Sequence, residues 1–210
     1  LDDDSLPDKN TLNFLIEDYY FLIHQNIDVS FVCSKVLWGE TQELCLMNIP
    51  NYSSKDKSWS SIKSILSCSF VSVLIPTAKI KKIGLPIKEY FIWYDDVEFT
   101  KRLTRVGKGY IALNSEIKHY PPQNIGANYR HVNNENILKY QYGFRNMISY
   151  HLQTRSFKKI FKIFSRVNKE MSNGNVSTIV KLKVFYWGLK GLTFSPKVEY
   201  YNDLSYRQER

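Results

Sequence analysis

Between residues 8 and 25 the apolar positions Leu12, Leu15, Ile16, Tyr19, Leu22 and Ile23 recur at helical spacing, and Asp8, following Pro7, stands where a cap belongs. Residues 29–38 and 43–49, largely apolar on either side of Gly39-Glu40-Thr41, predict two strands joined by a hairpin-like turn. Residues 50–61 are polar and read as a loop. The Val, Leu and Ile content of residues 70–75 predicts a buried strand. A short helical turn at 80–86 is stopped by Gly84 and Pro86. Residues 89–94 lead into Asp95-Asp96, and 97–106 predict a helix closed by Gly107 and Gly109. Residues 110–113 and 116–119 read as two extended pieces ahead of Pro121-Pro122.

The last third of the chain has a different texture. Residues 134–153 predict a helix in which Ile137, Tyr140, Phe144, Met147 and Ile148 form one stripe, with Tyr142, Arg145 and Ser149 on another side. Residues 157–167 are amphipathic, with Ile160, Phe161, Phe164 and Val167 against Lys158, Lys159, Lys162 and Arg166. A break at 172–175 precedes a further helix over 176–192.

Charge changes the picture more than composition does. The 210 residues suit one domain, or one domain with a small appendage, and the 43% apolar content is ordinary. Fifteen tyrosines suit wet clefts and interfaces as well as cores. The net charge of +9 is unevenly spread. Residues 1–30 carry seven acids against Lys9, whereas 151–200 carry ten bases against Glu170 and Glu199. The acidic end is suited to a cation, and the basic end to phosphate, a membrane or nucleic acid. No zinc-ligand spacing or RNA-recognition run is present, which argues against nucleic acid. Cys33, Cys45 and Cys68 form no paired framework and predict reduced thiols in a cytoplasmic protein. The opening residues lack the pattern of a secretory leader. The least polar run, 64–78, holds four serines and is too short for a membrane span.

Three constellations carry candidate chemistry. In an extended segment Asp2 and Asp4 point the same way and converge on one hard divalent cation; alternatively, Asp2-Asp3-Asp4 is an acidic approach to the helix that follows. Asp95-Asp96, behind Phe91-Ile92-Trp93-Tyr94, suits a general base whose pKa is raised by burial and a neighbouring charge; alternatively, it is a solvated helix start, with Glu98 and Arg102 paired four residues apart. His119 closes an extended piece, either as a hydrogen-bonded structural residue or as a ligand favouring Mn2+ over Mg2+.

The order of these pieces, with Gly84-Leu85-Pro86 ahead of the aromatic run and Tyr142-Gly143-Phe144-Arg145-Asn146 beyond His119, resembles the family 2 glycosyltransferases of the GT-A fold. The likeness is to the branch with bacterial galactofuranosyl- and rhamnosyltransferases, and it covers about the first 150 residues. The resemblance implies an α/β fold: a partial, Rossmann-like GT-A domain over 1–153, lacking the N-terminal nucleotide-binding strands, then a basic helical extension over 154–210. It also implies that Asp2, Asp4 and His119 hold Mn2+ or Mg2+ and that Asp3 and Arg145 stand at the donor diphosphate. Asp96 becomes the base with Asp95 as its acidic partner, and Trp93 and Tyr94 bind the acceptor.

The implied reaction is inverting transfer from a nucleotide-sugar, a UDP- or dTDP-sugar, to a saccharide or lipid-diphosphate-linked hydroxyl, in cell-surface polysaccharide synthesis. Arg145 alternatively serves a structural salt bridge. A chain beginning at the acid triplet is expected to be a fragment, to expose an apolar face and to be inactive alone. The basic helix over 157–167 either lies on an anionic membrane surface, peripheral to the inner face of the cell membrane, or packs its stripe on the domain. The competing readings are an inactive glycosyltransferase remnant and a metal-dependent phosphotransferase.

Overall fold

The structure, a computed structural model, describes residues 4–201. The chain divides into two compact units. One comprises the residues up to Leu85, Asp96–Gly126 and the segment from Glu199; the other comprises Pro86–Asp95 and Ala127–Val198.

The first unit is an α/β structure around a mixed sheet. Its elements are β1 (Ser5–Pro7), α1 (Thr11–His24), β2 (Val29–Trp38), β3 (Asn51–Tyr52), β4 (Ile62–Ser67), β5 (Val73–Leu74), α2 (Thr77–Ile83), α3 (Asp95–Leu103) and β6 (Lys108–His119). The strand order is β3-β4-β6-β2-β5, with β1 also on β6. Among the described residues, only β2 and β6 run parallel to each other, and every other strand pairing is antiparallel. Alternation along the strands sends Val29, Val32, Ile62, Tyr110 and Ala112 to one face, where Leu15 and Leu22 of α1 cover them. Phe31, Cys33, Ile65 and Ile111 go to the other face, under Ile83 of α2 and Phe99 and Leu103 of α3. Helices therefore bury both faces of the sheet.

Several local expectations are corrected by partners distant in sequence. The segment before α1 is a strand rather than a helix cap. Ser5, Leu6 and Pro7 pair with His119, Lys118 and Ile117, and the Asp8 amide donates to the Glu116 carbonyl at 3.4 Å. The helix then starts at Thr11, with Asn10 rather than Asp8 in the cap position. The run 43–49 makes only a bridge from Leu44 to Leu37 and then a 3-10 turn at Leu46–Asn48. The strand expected over 70–75 shrinks to Val73–Leu74, while β4 arises in a stretch that had no strand assigned. The two extended pieces after Gly107 are one strand, β6, whose pairing with β2 shifts register between Ser34 and Lys35. Across that irregularity Ser34 Oγ lies 2.7 Å from Ser72 Oγ and 2.8 Å from Ser115 Oγ, so the buried hydroxyls satisfy one another.

The second unit is helical: α4 (Ile137–Gln153), α5 (Phe157–Asn173) and α6 (Thr178–Lys190), with a 3-10 turn at Tyr129–His131. Tyr140, Phe144 and Ile148 of α4, Ile160, Ile163, Val167 and Met171 of α5, and Val180 and Val184 of α6 make one core. A Cβ at Gly188 would stand 2.5 Å from the Phe144 ring, so glycine there permits the close approach of α6 to α4. This shared core explains why the expected division after residue 153 does not coincide with the units: α4 belongs with the helices that follow it. The α5 stripe is spent on this core, so the packing alternative describes it, although Phe161 remains 79% exposed. No helix among the described residues is long and apolar enough to cross a membrane.

Candidate functional site

Strand pairing brings Asp4 to His119. With Ser5 opposite His119 and the Tyr120 amide donating to the Asp4 carbonyl at 3.0 Å, the Asp4 carboxylate stands 3.0 Å from His119 Nε2. The imidazole is buried, whereas the Asp4 side chain is about half exposed. On the other ring nitrogen, Nδ1 faces Asn48 Oδ1 at 2.8 Å. Asn48 Nδ2 in turn donates to Ser69 Oγ at 3.0 Å, which turns the amide oxygen toward the ring. Nδ1 thus carries the proton for Asn48, and Nε2 is the nitrogen presented to Asp4. Cys45 Sγ lies 3.6 Å from Nδ1. Burial is the main cause of a Cys45 pKa above its usual 9.0; the Met47 and Asn48 amides oppose it, and the Asp4 charge adds to it. The group there is a thiol.

The second centre begins at Asp96, in the first turn of α3. Asp96 Oδ1 accepts the Val97 amide at 2.6 Å, and the Asp96 carbonyl accepts Thr100 Oγ1 at 2.7 Å. Thr100 is also tied to Cys68, accepting its amide at 3.2 Å and lying 3.3 Å from its carbonyl. Consecutive residues therefore serve both centres: Ser69 supports Asn48 and His119, and Cys68 supports the turn that carries Asp96. On the same helix, Glu98 and Arg102 form a buried two-point ion pair at 2.8 and 3.0 Å. Arg102 also donates to the carbonyls of Ile83 and Leu85, at 2.5 and 2.9 Å. The pair expected four residues apart on the helix is thus formed, and buried as an anchor for α3 against the end of α2.

In the second unit the aromatic run ahead of Asp95 is held in an unusual conformation. Phe91, Trp93 and Tyr94 have φ of 63°, 61° and 73°, the left-handed region that bulky residues avoid. Asn146 Nδ2 reaches the carbonyls of Tyr90, Ile92 and Trp93 at 2.8, 3.2 and 2.8 Å. Arg145 donates to Asn146 Oδ1 at 3.0 and 2.8 Å and to the Glu89 carbonyl at 2.6 Å, and its guanidinium lies 3.9 Å from the Phe194 ring centre. Burial lowers the Arg145 pKa below the usual guanidinium range. Arg145, assigned by resemblance to the diphosphate, is in this structure an anchor of the aromatic loop. Trp93 meets Tyr140 edge-on at 4.8 Å and covers Gly143, where a Cβ would stand 2.7 Å from the indole. The Tyr94 hydroxyl lies 3.2 Å from His151 Nε2. Phe91, which the sequence reading left without a role, is 69% exposed.

Asp4 and His119 are therefore brought together, and Asp96 is joined to their supports. Asp2 and Asp3 lie outside the described residues. Asp95, Trp93, Tyr94 and Arg145 belong to the second unit. Among the described residues no group of three or more acids, histidines and cysteines gathers as a metal cluster, so Asp4 and His119 stand as a pair. The supporting residues Asn48, Ser69 and Thr100 escaped the sequence reading. A polar Asn48 amid Leu46, Met47 and Ile49 was the available signal, since a half-buried amide requires partners. Comparison of the chain with protein-family models, with curated proteins and with solved structures finds no match.

Proposed function

We propose that the chain carries the metal and acceptor side of an inverting glycosyltransferase of GT-A type. Its donor is a UDP- or dTDP-sugar, and its acceptor is a saccharide or a lipid-diphosphate-linked hydroxyl at the inner face of the cell membrane. One observation carries the reading. Asp4 and His119, from opposite ends of the first unit's sequence, present a carboxylate and an imidazole 3.0 Å apart.

A carboxylate oxygen with a neutral imidazole nitrogen is a donor pair that suits Mn2+, and Mg2+ less well. The Asn48 contact leaves Nε2 as the nitrogen to serve it, so the residues present fit the ion. Bound there, the ion would supply positive charge to offset the negative charge that builds on the nucleoside diphosphate as it leaves the donor sugar. Asp96 accepts the proton of the acceptor hydroxyl as the hydroxyl oxygen bonds to the anomeric carbon and the bond from that carbon to the diphosphate breaks, inverting the configuration. Asp95 is its acidic neighbour, and Trp93 and Tyr94 are assigned to the acceptor sugar.

Mn2+ titration followed by electron paramagnetic resonance, with and without UDP or dTDP, tests this. The expected result is Mn2+ binding that tightens with the nucleotide, is lost in His119→Ala and persists in Asp96→Asn. A chain that binds neither ion nor nucleotide is a remnant, and Mn2+ binding unchanged in His119→Ala places the ion elsewhere; either result overturns the reading.

A further inference from the structure

The second unit has an apolar surface that its own core does not use. Helix α6 buries Val180, Val184 and Gly188 but exposes Ile179, Leu182, Tyr186 and Leu189, at 66%, 65%, 58% and 55%. At 3.6 residues per turn these four share one arc, and Lys183 and Lys190 adjoin it along one side. The arc continues across aromatic neighbours. Lys190 Nζ lies 4.6 Å from the Tyr186 ring and 5.0 Å from Trp187. Trp187 meets Tyr142 at 4.9 Å, and Tyr142 meets the exposed Phe91 at 5.4 Å.

We infer that this surface docks the protein on an anionic lipid bilayer, with the α6 arc entering the headgroup boundary. Three properties choose that occupant. Leu and Ile on the arc with Tyr, Trp and Phe beside it is the pattern of a helix lying in a membrane interface, where amphipathic rings sit at headgroup depth. The charge complements anionic headgroups: residues 151–200 hold ten bases against two acids. A second copy of the chain packed symmetrically on the same arc would instead bring Lys183 and Lys190 toward their own counterparts, which like-charge repulsion opposes. The docking helix is thus α6. The amphipathic stripe of α5, which the sequence singled out, is largely taken up by the core, Phe161 apart. The inference does not depend on the proposed reaction.

Flotation of the full chain with vesicles tests it, comparing phosphatidylcholine alone with equal parts phosphatidylcholine and phosphatidylglycerol. The chain is expected to float with the anionic vesicles and to stay behind with the neutral ones. Leu182→Ser/Leu189→Ser should weaken flotation at least tenfold, and Lys183→Glu/Lys190→Glu should weaken it in a salt-dependent way. All four positions are exposed, so circular dichroism should be unchanged in both variants. Absence of flotation with anionic vesicles, or flotation untouched by the two serines, overturns the inference. So does a dimer in sedimentation equilibrium that the serine variant converts to monomer, because the arc is then covered by a second copy.

Discussion

At the scale of single residues, the candidate centre depends on a side chain with no charge. Asn48 fixes which imidazole nitrogen of His119 is presented to Asp4, because its amide is itself oriented by Ser69. Outer partners of this kind typically contribute 10–100-fold in metal affinity. Asn48→Ala is therefore expected to weaken Mn2+ binding about tenfold while leaving the melting temperature within a few degrees, read by parallel metal titration and thermal melts. Asp18 shows a different residue-scale effect. One of its carboxylate oxygens is buried without a hydrogen-bond partner. Burial first, and the Glu17 charge second, push its pKa from 3.8 up to about 6. A carboxyl with a raised pKa holds its proton more tightly in the folded chain than in the unfolded one. Its protonated form favours folding at low pH, and that advantage is lost as pH rises from about 4 through about 6. Two pKa units correspond to about 3 kcal/mol in full, which partial solvent exposure reduces to about 1 kcal/mol. Asp18→Asn should therefore gain about that much stability at pH 7 and flatten the pH 4–6 slope of a urea-unfolding series. An unchanged slope would place the titration elsewhere.

At the scale of elements, the strained aromatic loop and the middle of α4 form one device. Three left-handed residues within Phe91–Tyr94 each cost roughly 1 kcal/mol or more, and Asn146 offsets that cost through three carbonyls at once. Removing the clamp leaves buried carbonyls without their donor, so Asn146→Ala is expected to destabilise by about 2–4 kcal/mol. Phe91→Gly should act in the opposite sense, stabilising by about 1 kcal/mol, because glycine accepts a positive φ and the Phe91 ring is largely in solvent. Chemical denaturation of both variants checks the pair of signs. The same elements show what a sequence displays and what it conceals. Helix α5 was legible because it carries its own period, and strand β2 because Val29, Phe31, Val32, Val36, Leu37 and Trp38 outweigh its few polar positions. Strand β1 was not, because Ser5-Leu6-Pro7 has no strand character until β6 supplies an edge. Residues 43–49 have the composition of a strand, yet Cys45 and Asn48 turn inward to the imidazole, and that demand outweighs β-propensity. The Asp4–His119 meeting was an expectation of the family resemblance, whereas the amide and hydroxyls that support it appear only once the chain is folded.

At the scale of the whole molecule, the three thiols report on one unit alone. Cys33, Cys45 and Cys68 are all free and buried, and all belong to the sheet-bearing first unit. Burial pushes Cys68 well above 9.0, with Cys33 beside it adding in the same direction. A thiol attacks a disulfide reagent as its thiolate, so burial and a raised pKa both suppress reaction in the folded state. Cys33 and Cys68 lie on the face covered by Ile83, Phe99 and Leu103, whereas Cys45 lies with Val36, Val71 and Ile117. Only an opening that separates the α2 and α3 layer from the sheet exposes the first two. Local opening around the 3-10 turn at Leu46–Asn48 is enough for Cys45. Labelling with an aromatic disulfide reagent is accordingly expected in two phases: one equivalent first, then two more together. The second phase should keep pace with loss of the sheet signal in circular dichroism across a denaturant series. Helical signal lost before the second phase belongs to α4–α6, which contain no cysteine, and its separation from that phase measures how independently the two units unfold. Three thiols reacting together, at the rate of complete loss of structure, would instead make the two units a single cooperative system.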